Sequence, residues 1–236
     1  MSVADAAPVR AGLPEWPHRF FRSFLRRRVV RRWDVHVRGV GHVPQDGPVI
    51  LVSNHVGWLD GPVTVATSER VVHALVKHES FAGWPGRLLR ASAQIELHRG
   101  RTDAAALRKA LRVLRAGQVL LVYPEGKRGD GLVQETYGGA AYLALVTGAP
   151  VVPVAVLGTR EPGAEIESKP APGQRIDVVY GTPITIPAMP WPRDAFTVAA
   201  ERERIADVLR VHVETTTQNL KRDLPGAPPK QDSFDE

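Results

Sequence analysis

The sequence predicts a single α/β domain, in which a mixed, mostly parallel sheet is covered by helices and preceded by an N-terminal amphipathic helix. Short apolar segments typical of strands alternate along the chain with segments of helical periodicity, which is the pattern of a sheet with covered faces. The chain has 236 residues, of which 43% are hydrophobic. This length and composition suit one domain with a substantial core and exclude a globally disordered protein.

Seven segments have the pattern of strands, and turn-forming or charged residues separate them from their neighbours. The segment 48–53 is apolar up to its last residue, which is typical of a buried strand. The predicted strands are residues 35–40, 48–53, 71–76, 93–97, 118–123, 151–157 and 175–180.

Helices are predicted between most of these strands and after the last one. Thr102 is expected to cap the helix that follows it, because its hydroxyl can accept a backbone N–H, and Gly117 and Gly148 are expected to end helices. The predicted helices are residues 62–68, 81–90, 103–115, 138–147 and 195–220.

The two ends of the chain differ from this body. We expect residues 1–13 to be a flexible leader, 14–34 a basic helical segment, 35–220 the main domain and 221–236 a disordered tail. The leader lacks the apolar core of a signal peptide, and no segment approaches the ~20 apolar residues of a membrane-spanning helix. We therefore predict that the chain is not threaded through a membrane.

Positive charge is concentrated in the segment 17–38. The chain has 31 Lys and Arg residues against 25 Asp and Glu residues, which gives a formal net charge of +6. The segment alone holds eight arginines and one acid, so the remainder of the chain is close to neutral.

The basic segment also has an apolar helical face. Its apolar side chains form two rows with a spacing of four residues, which are Trp16, Phe20 and Phe24, and Phe21, Leu25 and Val29. A basic helix with aromatic residues suits an anionic membrane surface. The alternative is a helix that packs on its own domain with its arginines in water. We expect no nucleic-acid partner, because the sequence contains no nucleic-acid-binding module.

The absence of cysteine narrows the chemistry. It excludes disulfides, thiolate zinc sites and cysteine nucleophiles, and it fits a reducing cytoplasm. The sequence has no serine-hydrolase elbow, no P-loop, no dinucleotide-binding glycine motif and no H-E-x-x-H zinc motif. We therefore expect no metal and no bound cofactor.

His55 and Asp60 follow the buried strand 48–53 and stand five residues apart. A carboxylate beside one ring nitrogen of a histidine fixes the tautomer, so that the other nitrogen can take a proton. Open α/β sheets bind ligands outside the carboxyl ends of their strands, which favours a catalytic pair over a structural histidine.

The same spacing recurs in His98 and Asp103. Asp103 falls at a predicted helix start, where unpaired backbone N–H groups and the helix dipole explain an acidic residue. We interpret this second pair as structural or incidental.

Two further strand ends carry charge. The loop 123–129 projects Glu125, Lys127 and Arg128 from a turn, which suits a phosphate ligand, although an ordinary charged surface turn has the same composition. Arg99 and Arg101 follow the strand 93–97, where they could clamp an anion or remain solvated.

A His–Asp pair without a protein nucleophile indicates that the substrate supplies the nucleophile. A substrate hydroxyl deprotonated by His55 can attack a thioester carbonyl directly, and the arginines would hold a phosphate on the same substrate. We expect backbone N–H groups near the turn at Gly57 to stabilise the oxyanion.

Four blocks of the sequence together resemble the glycerolipid acyltransferase family, which includes the 1-acyl-sn-glycerol-3-phosphate acyltransferases. The blocks occur in the family's order within residues 35–185. They are Asn54-His55 with Asp60, Ile95 with Arg99, Tyr123 to Arg128, and Val151 to Ala155.

The resemblance implies a role for each matched residue. His55 would be the general base and Asp60 its support. The residues implied to bind the acceptor phosphate are Arg99, Glu125 and Arg128, with Gly126 shaping the loop. Asn54 and Lys127 complete the substrate-binding set, Lys127 as an extra cation for the head group. Pro153 is expected on the acyl-donor side or in shaping the site.

The resemblance also implies an O-acyltransferase of phospholipid biosynthesis. It would move a fatty acyl group from acyl-CoA or acyl-carrier protein to the hydroxyl of a lysophosphatidate-like lysophospholipid. We expect a peripheral, monotopic protein on the cytoplasmic face of an anionic membrane. Two alternatives remain, which are an acyltransferase for another polar lipid or metabolite and a catalytically silent lipid-binding protein.

Overall fold

Seven strands form one sheet, as the sequence predicts. The computed structural model describes residues 15–100 and 103–226, with side chains from residue 20 onward, so the predicted leader 1–13 lies outside the described residues. The strands are β1 (Asp34–Arg38), β2 (Val49–Ser53), β3 (Val72–Lys77), β4 (Ile95–Leu97), β5 (Val119–Val122), β6 (Val151–Leu157) and β7 (Arg175–Tyr180).

The predicted helices are also present, each within a few residues of its expected bounds. None of the described helices pairs sufficient length with the apolar composition that a bilayer crossing requires. The α-helices are α1 (Glu15–Arg32), α2 (Asp60–Thr67), α3 (Gly83–Ala91), α4 (Ala104–Arg115), α5 (Gly139–Thr147) and α6 (Ala195–Leu220). Two short 3₁₀ turns, Val40–His42 and His78–Phe81, follow β1 and β3.

The order of the strands in the sheet brings five strand ends to one edge. The spatial order is β1-β7-β6-β2-β5-β3-β4, and all neighbours are parallel except β6 and β7. The five strands from β6 to β4 therefore run in one direction and end at the same edge, which we name the carboxyl edge. The sheet is mixed and mostly parallel, as predicted, and ligands of open α/β sheets bind at such an edge.

The central strand β2 is held from both faces of the sheet. Its side chains alternate between two cores, and all five of its residues are buried. Leu51 packs in a cluster with residues of α1 and α2, whereas Ile50 and Val52 pack in a second cluster with residues of α4, α5 and α6. The loop that follows β2 therefore starts from a rigid position.

Helix α1 divides its two apolar rows between the core and the solvent. Val29 is buried and Leu25 packs against the same core cluster, and α1 lies against α2. In the other row, Phe20 and Phe24 are 74% and 46% exposed, whereas the side chain of Trp16 lies outside the described residues. Packing on the domain thus accounts for one row and leaves Phe20 and Phe24 of the second row facing solvent.

The residue that caps α4 differs from the prediction. Asp103 is the N-cap, and its carboxylate accepts the backbone N–H groups of Ala105 and Ala106, each at 3.0 Å. The expectation that Thr102 caps this helix is wrong, because Asp103 lies one residue closer to it and makes the stronger, charge-assisted contact. Thr102 itself lies outside the described residues.

The body of the protein extends six residues into the predicted tail. Arg222 donates to the carbonyl of Arg175 at 3.0 Å, and the N–H of Gly163 donates to the carbonyl of Pro225 at 2.9 Å. Residues 221–226 therefore pack on the domain, because they satisfy backbone groups at the start of β7 and in the loop that holds Gly163. The rest of the predicted tail, 227–236, lies outside the described residues.

Candidate active site

Polar side chains follow three neighbouring strands at the carboxyl edge. His55 comes directly after β2, the loop from Tyr123 follows β5, and Thr159 follows β6. Because β2 lies between β5 and β6, these three loops meet around His55. The predicted placement of His55 at a strand end therefore brings it next to segments that are about 70 and 100 residues away.

His55 and Asp60 form a hydrogen-bonded pair. Nδ1 of His55 lies 2.8 Å from Oδ2 of Asp60. Asp60 is the first residue of α2, so the turn between β2 and α2 brings its carboxylate back to the ring. Because a carboxylate only accepts hydrogen bonds, Nδ1 carries the proton and Nε2 is the nitrogen left to accept one. This is the tautomer that a general base requires.

The carboxylate of Asp60 is fully buried and is held on both oxygens. Oδ2 also accepts the backbone N–H groups of Val56, at 2.7 Å, and of Gly57, at 2.9 Å. The hydroxyl of Thr159 donates to Oδ1. Four donors thus offset the cost of removing this charge from water, and they fix the direction in which the carboxylate faces His55.

These bonds occupy two of the backbone N–H groups near the predicted oxyanion site. The N–H groups of Val56 and Gly57 already donate to Asp60, so they are not available to a developing negative charge on the substrate. A Cβ atom on Gly57 would lie 2.7 Å from the carbonyl oxygen of Thr159, which explains why this position has no side chain. The turn at Gly57 therefore positions the carboxylate.

The ring of His55 is supported by Tyr123. The two ring centroids are 4.1 Å apart and the planes differ by 22°, so the rings are stacked. The side chain of His55 remains partly exposed. Burial raises the pKa of Tyr123 well above its ordinary value, so its hydroxyl stays neutral. The stacking holds the imidazole in place while leaving it accessible.

Glu125 positions the backbone of His55. Its Oε1 accepts the N–H of His55 at 2.9 Å, and the side chain is buried. Burial raises the pKa of Glu125 to about 7, and the carboxylates of Asp130 and Asp60 add to this rise, whereas the bond from His55 opposes it. The predicted contact between Glu125 and a phosphate stays a prediction.

Arg99 reaches the loop that follows β5. Its Nη1 donates to the carbonyl of Gly126 at 3.3 Å, and its Nη2 lies 3.7 Å from a carboxylate oxygen of Glu79. Gly126 has a φ of +65°, and a Cβ atom there would lie 2.8 Å from the ring of Tyr137. The block that holds Arg99 and the block from Tyr123 to Arg128, which are separate in the sequence, therefore meet in the structure. Lys127, next to Gly126, is exposed. Arg101 lies outside the described residues.

Arg128 is paired with an acidic residue that the sequence analysis did not identify. Its guanidinium donates two hydrogen bonds to the carboxylate of Glu167 and one, at 3.1 Å, to the carbonyl of Ile166. The side chain of Arg128 is 12% exposed and that of Glu167 is 75% exposed. This forked contact is the geometry with which arginine binds a phosphate or a carboxylate.

Asn54 links two strands. It is fully buried, its Nδ2 donates to the carbonyl of Val156 at 3.0 Å, and the N–H of Val156 donates to its Oδ1 at 2.8 Å. The amide of Asn54 is thus used by the backbone of β6, and its predicted contact with substrate stays a prediction. Pro153 is buried within β6, where it shapes the strand, and its carbonyl accepts the N–H of Gly181 at 2.8 Å.

Thr159 and Arg160 are site residues that the sequence analysis missed. Arg160 is buried, donates to the carbonyl of Gly129 at 2.7 Å, and has a positive charge that interacts with Asp60. Burial lowers the pKa of this guanidinium. The polar run from Gly158 to Arg160, directly after an apolar strand, was the signal that could have identified both residues.

The buried carboxyl of Glu125 should make stability depend on pH. The pKa of Glu125 rises from 4.5 to about 7 on folding. The stabilisation of the folded state by the neutral carboxyl is therefore fully present below pH 4.5 and is lost as the pH rises to about 7. We expect Glu125→Gln to remove a pH-dependent loss of about 3 kcal/mol in the free energy of unfolding. Urea denaturation at pH 5 and pH 8 measures this difference.

The control for this prediction is Glu135→Gln, which changes an exposed glutamate in the same region of the chain. Identical pH profiles for the wild type and Glu125→Gln would contradict the burial argument.

Comparison with known proteins identifies a family for this chain. The profile of a family described as acyltransferase matches residues 34–157, which is more than half of the chain. A lyso-ornithine lipid O-acyltransferase from Pseudomonas aeruginosa is 30% identical over 157 residues, covering 65% of this chain and 56% of that protein. A 1-acyl-sn-glycerol-3-phosphate acyltransferase from Borreliella burgdorferi is 29% identical over 127 residues, covering 52% and 51%.

An uncharacterized Mycobacterium tuberculosis protein is 31% identical over 159 residues, and the match covers 40% of that protein. The chain thus spans about half the length, or less, of the curated relatives it matches. Among solved structures, the 1-acyl-sn-glycerophosphate acyltransferase PlsC from Thermotoga maritima has the same fold, with a TM-score of 0.65 and 23% identity. That match covers 85% of this chain and 79% of the other. From the profile match over more than half of its length, the chain belongs to the acyltransferase family.

Proposed function

We propose that this protein is an O-acyltransferase that moves a fatty acyl group from an acyl thioester to the hydroxyl of a lysophosphatidate-like acceptor. The observation that carries the proposal is the pairing of a partly exposed His55 with the buried carboxylate of Asp60, at an edge that also holds Arg99 and Arg128. Membership of the acyltransferase family and the names of the relatives support it.

In the proposed reaction, Nε2 of His55 takes the proton of the acceptor hydroxyl as its oxygen attacks the thioester carbonyl. Asp60 accepts the Nδ1–H bond and stabilises the imidazolium that forms. The new C–O bond forms, the C–S bond breaks, and the imidazolium returns its proton to the leaving thiolate. No covalent acyl-enzyme is needed, so the reaction requires neither a serine nor a cysteine nucleophile.

The acceptor would be oriented by the cations beside the base. Arg99 follows β4 and contacts the loop after β5, and that loop carries Arg128 and the exposed Lys127. Binding a phosphate at these groups would convert binding energy into orientation of the hydroxyl toward His55. The donor, acyl-CoA or acyl-carrier protein, needs no further cofactor in this mechanism.

Glu167 favours a second candidate, an acceptor whose head group carries a cation as well as an anion. A phosphate can form a forked contact with Arg128 only after it displaces the carboxylate of Glu167. A zwitterionic head group can instead place its cation beside Glu167 and its anion beside Arg99 or Lys127. Ornithine carries both an amine and a carboxylate, and two of the relatives are named as lyso-ornithine lipid acyltransferases.

The setting we propose is the cytoplasmic face of an anionic membrane, where the protein is peripheral. The exposed row of α1 includes Phe20 and Phe24, and the guanidinium of Arg28 lies 5.1 Å from the ring centroid of Phe24. Aromatic side chains beside arginines suit the boundary between lipid head groups and acyl chains. The same surface would serve a catalytically silent lipid-binding protein, which consumes no thioester.

Replacing the base should abolish transfer. We expect His55→Ala to lower the rate of thiol release from acyl-CoA at least about 100-fold, because general-base catalysis contributes 10²–10⁴-fold. The assay supplies lysophosphatidate, a lyso-ornithine lipid and a neutral acceptor in parallel.

His36→Ala is the matched control, since His36 is an exposed histidine paired with Asp34 on β1. Wild-type turnover by His55→Ala would exclude this mechanism, and a wild-type protein that releases no thiol with any acceptor would favour the silent lipid-binding protein.

Changing Glu167 should separate the two classes of acceptor. We expect Glu167→Gln to lower KM about fivefold for lysophosphatidate, because the phosphate no longer competes with a carboxylate for Arg128. For a zwitterionic acceptor the same change should raise KM by a similar factor. Glu165→Gln, an exposed glutamate of the same loop, is the control. An unchanged KM for both acceptors would show that Glu167 does not face the head group.

Membrane attachment can be tested on the exposed row of α1 alone. We expect Phe20→Ser combined with Phe24→Ser to release the protein from anionic vesicles in a sedimentation assay, because both aromatic side chains face solvent in the structure. Val211→Ser changes a similarly exposed apolar residue on α6 and serves as the control. Undiminished vesicle binding by the double variant would contradict an interfacial role for this row.

A further inference from the structure

His78, Glu96 and His98 form a cluster at the β4 end of the carboxyl edge. Each residue offers one potential ligand atom, and these three atoms all lie within 4.8 Å of one another. We propose that this cluster is a binding site for one divalent transition-metal ion of the Zn²⁺ class. The expectation from sequence was that the protein holds no metal.

The register of two strands builds the cluster. β3 and β4 are parallel, with Val76 beside Glu96 and Lys77 beside Leu97. Continuing this register by one residue places His78 beside His98, and their rings are stacked with centroids 4.4 Å apart. Glu96 and His98 are two residues apart, so they lie on the same side of the strand. The fold therefore brings the three side chains to one face.

The ligand types suit a transition metal. Two imidazoles and one carboxylate favour Zn²⁺, Ni²⁺ or Cu²⁺ over Mg²⁺ and Ca²⁺, which prefer oxygen ligands. Nδ1 of His78 and Oε1 of Glu96 are already in direct contact, and a metal ion would replace the proton they share. Three protein ligands leave a fourth tetrahedral position for water.

A small rearrangement of the three side chains would complete the geometry. Bonds of about 2.0–2.1 Å to a tetrahedral zinc ion place ligand atoms about 3.3 Å apart. The direct contact between His78 and Glu96 would therefore lengthen, whereas the widest separation, which is within 4.8 Å, would shorten. The side chains of His78 and His98 are 55% and 43% exposed, so both rings have space to rotate. The backbone of the paired strands can stay in place.

Asp103 orients one of the proposed ligands. Its Oδ2 accepts the backbone N–H of His98 at 2.9 Å and lies 3.1 Å from Nδ1 of the same ring. These bonds assign the proton to Nδ1 and leave Nε2 of His98 available for a metal. They also hold the pKa of Asp103 well below its ordinary value. The second His–Asp pair of the sequence thus has the arrangement of a histidine ligand supported by a carboxylate.

The charge around the cluster is compatible with a metal ion. Glu96 would neutralise one of the two positive charges of the ion, and the carboxylates of Asp103 and Glu79 lie nearby. The positive charges of Arg90 and Arg99 would repel the ion. His98 directly precedes Arg99, so a bound ion would tie the ends of β3 and β4 together next to that arginine. The positive charge beside the proposed acceptor site would increase as a result.

Metal titration of the untagged, chelator-treated full chain tests this proposal. Co²⁺ binding is followed by its visible absorption, and Zn²⁺ binding by competition with a chromophoric chelator. We expect one ion per chain for the wild type and an affinity at least about tenfold weaker for His98→Ala and for Glu96→Gln. His36→Ala removes an exposed histidine that is also paired with a carboxylate, and it should bind as the wild type does.

Thermal denaturation gives a second readout. Zn²⁺ should raise the Tm of the wild type and of His36→Ala, and at the same Zn²⁺ concentration it should raise the Tm of Glu96→Gln less. Circular dichroism checks that the variants are folded, and Glu96→Gln, which keeps the size of the side chain, decides the result if His98→Ala fails to fold. Equal affinities of the wild type and Glu96→Gln, or no binding by the wild type, would overturn the proposal.

Discussion

The buried carboxylate of Asp60 joins three segments of the active site. Its two oxygens accept hydrogen bonds from the ring of His55, from the backbone of Val56 and Gly57, and from the hydroxyl of Thr159. Removing the carboxylate would leave buried donors without an acceptor, at a cost of about 1–3 kcal/mol each. The turn after β2, the tautomer of the base and the end of β6 therefore depend on one side chain, which serves folding and chemistry together.

The backbone around the base is fixed by two further contacts. The amide of Asn54 joins it to Val156 of β6, and the carboxyl of Glu125 joins the N–H of His55 to the loop after β5. The base is thus tied to both neighbouring strands of the sheet. A proton-transfer group must hold its position within a fraction of an ångström, and a buried parallel sheet supplies that rigidity.

The sequence predicts the parts of this site that are local along the chain. His55 and Asp60 are recognisable because they follow an apolar strand at a spacing that one turn of helix can close. The contacts of Thr159 with Asp60, of Glu167 with Arg128 and of Asn54 with Val156 were not predictable, because they join residues that are 99, 39 and 102 positions apart. The pairing of His78 with His98 was hidden for the same reason, since it follows from the register of β3 and β4.

The proposed base and the proposed head-group cations are supported in different ways. Asp60 and Asn54 are buried against strands, whereas the partner of Arg128 is the exposed Glu167 on a long surface loop. Substitutions at Glu167 disturb no core packing, whereas substitutions at Asp60 or Asn54 disturb the sheet itself. If the proposed roles hold, lineages that share this scaffold can diverge in the lipid they accept through changes to surface loops, while the proposed catalytic centre is inherited without alteration.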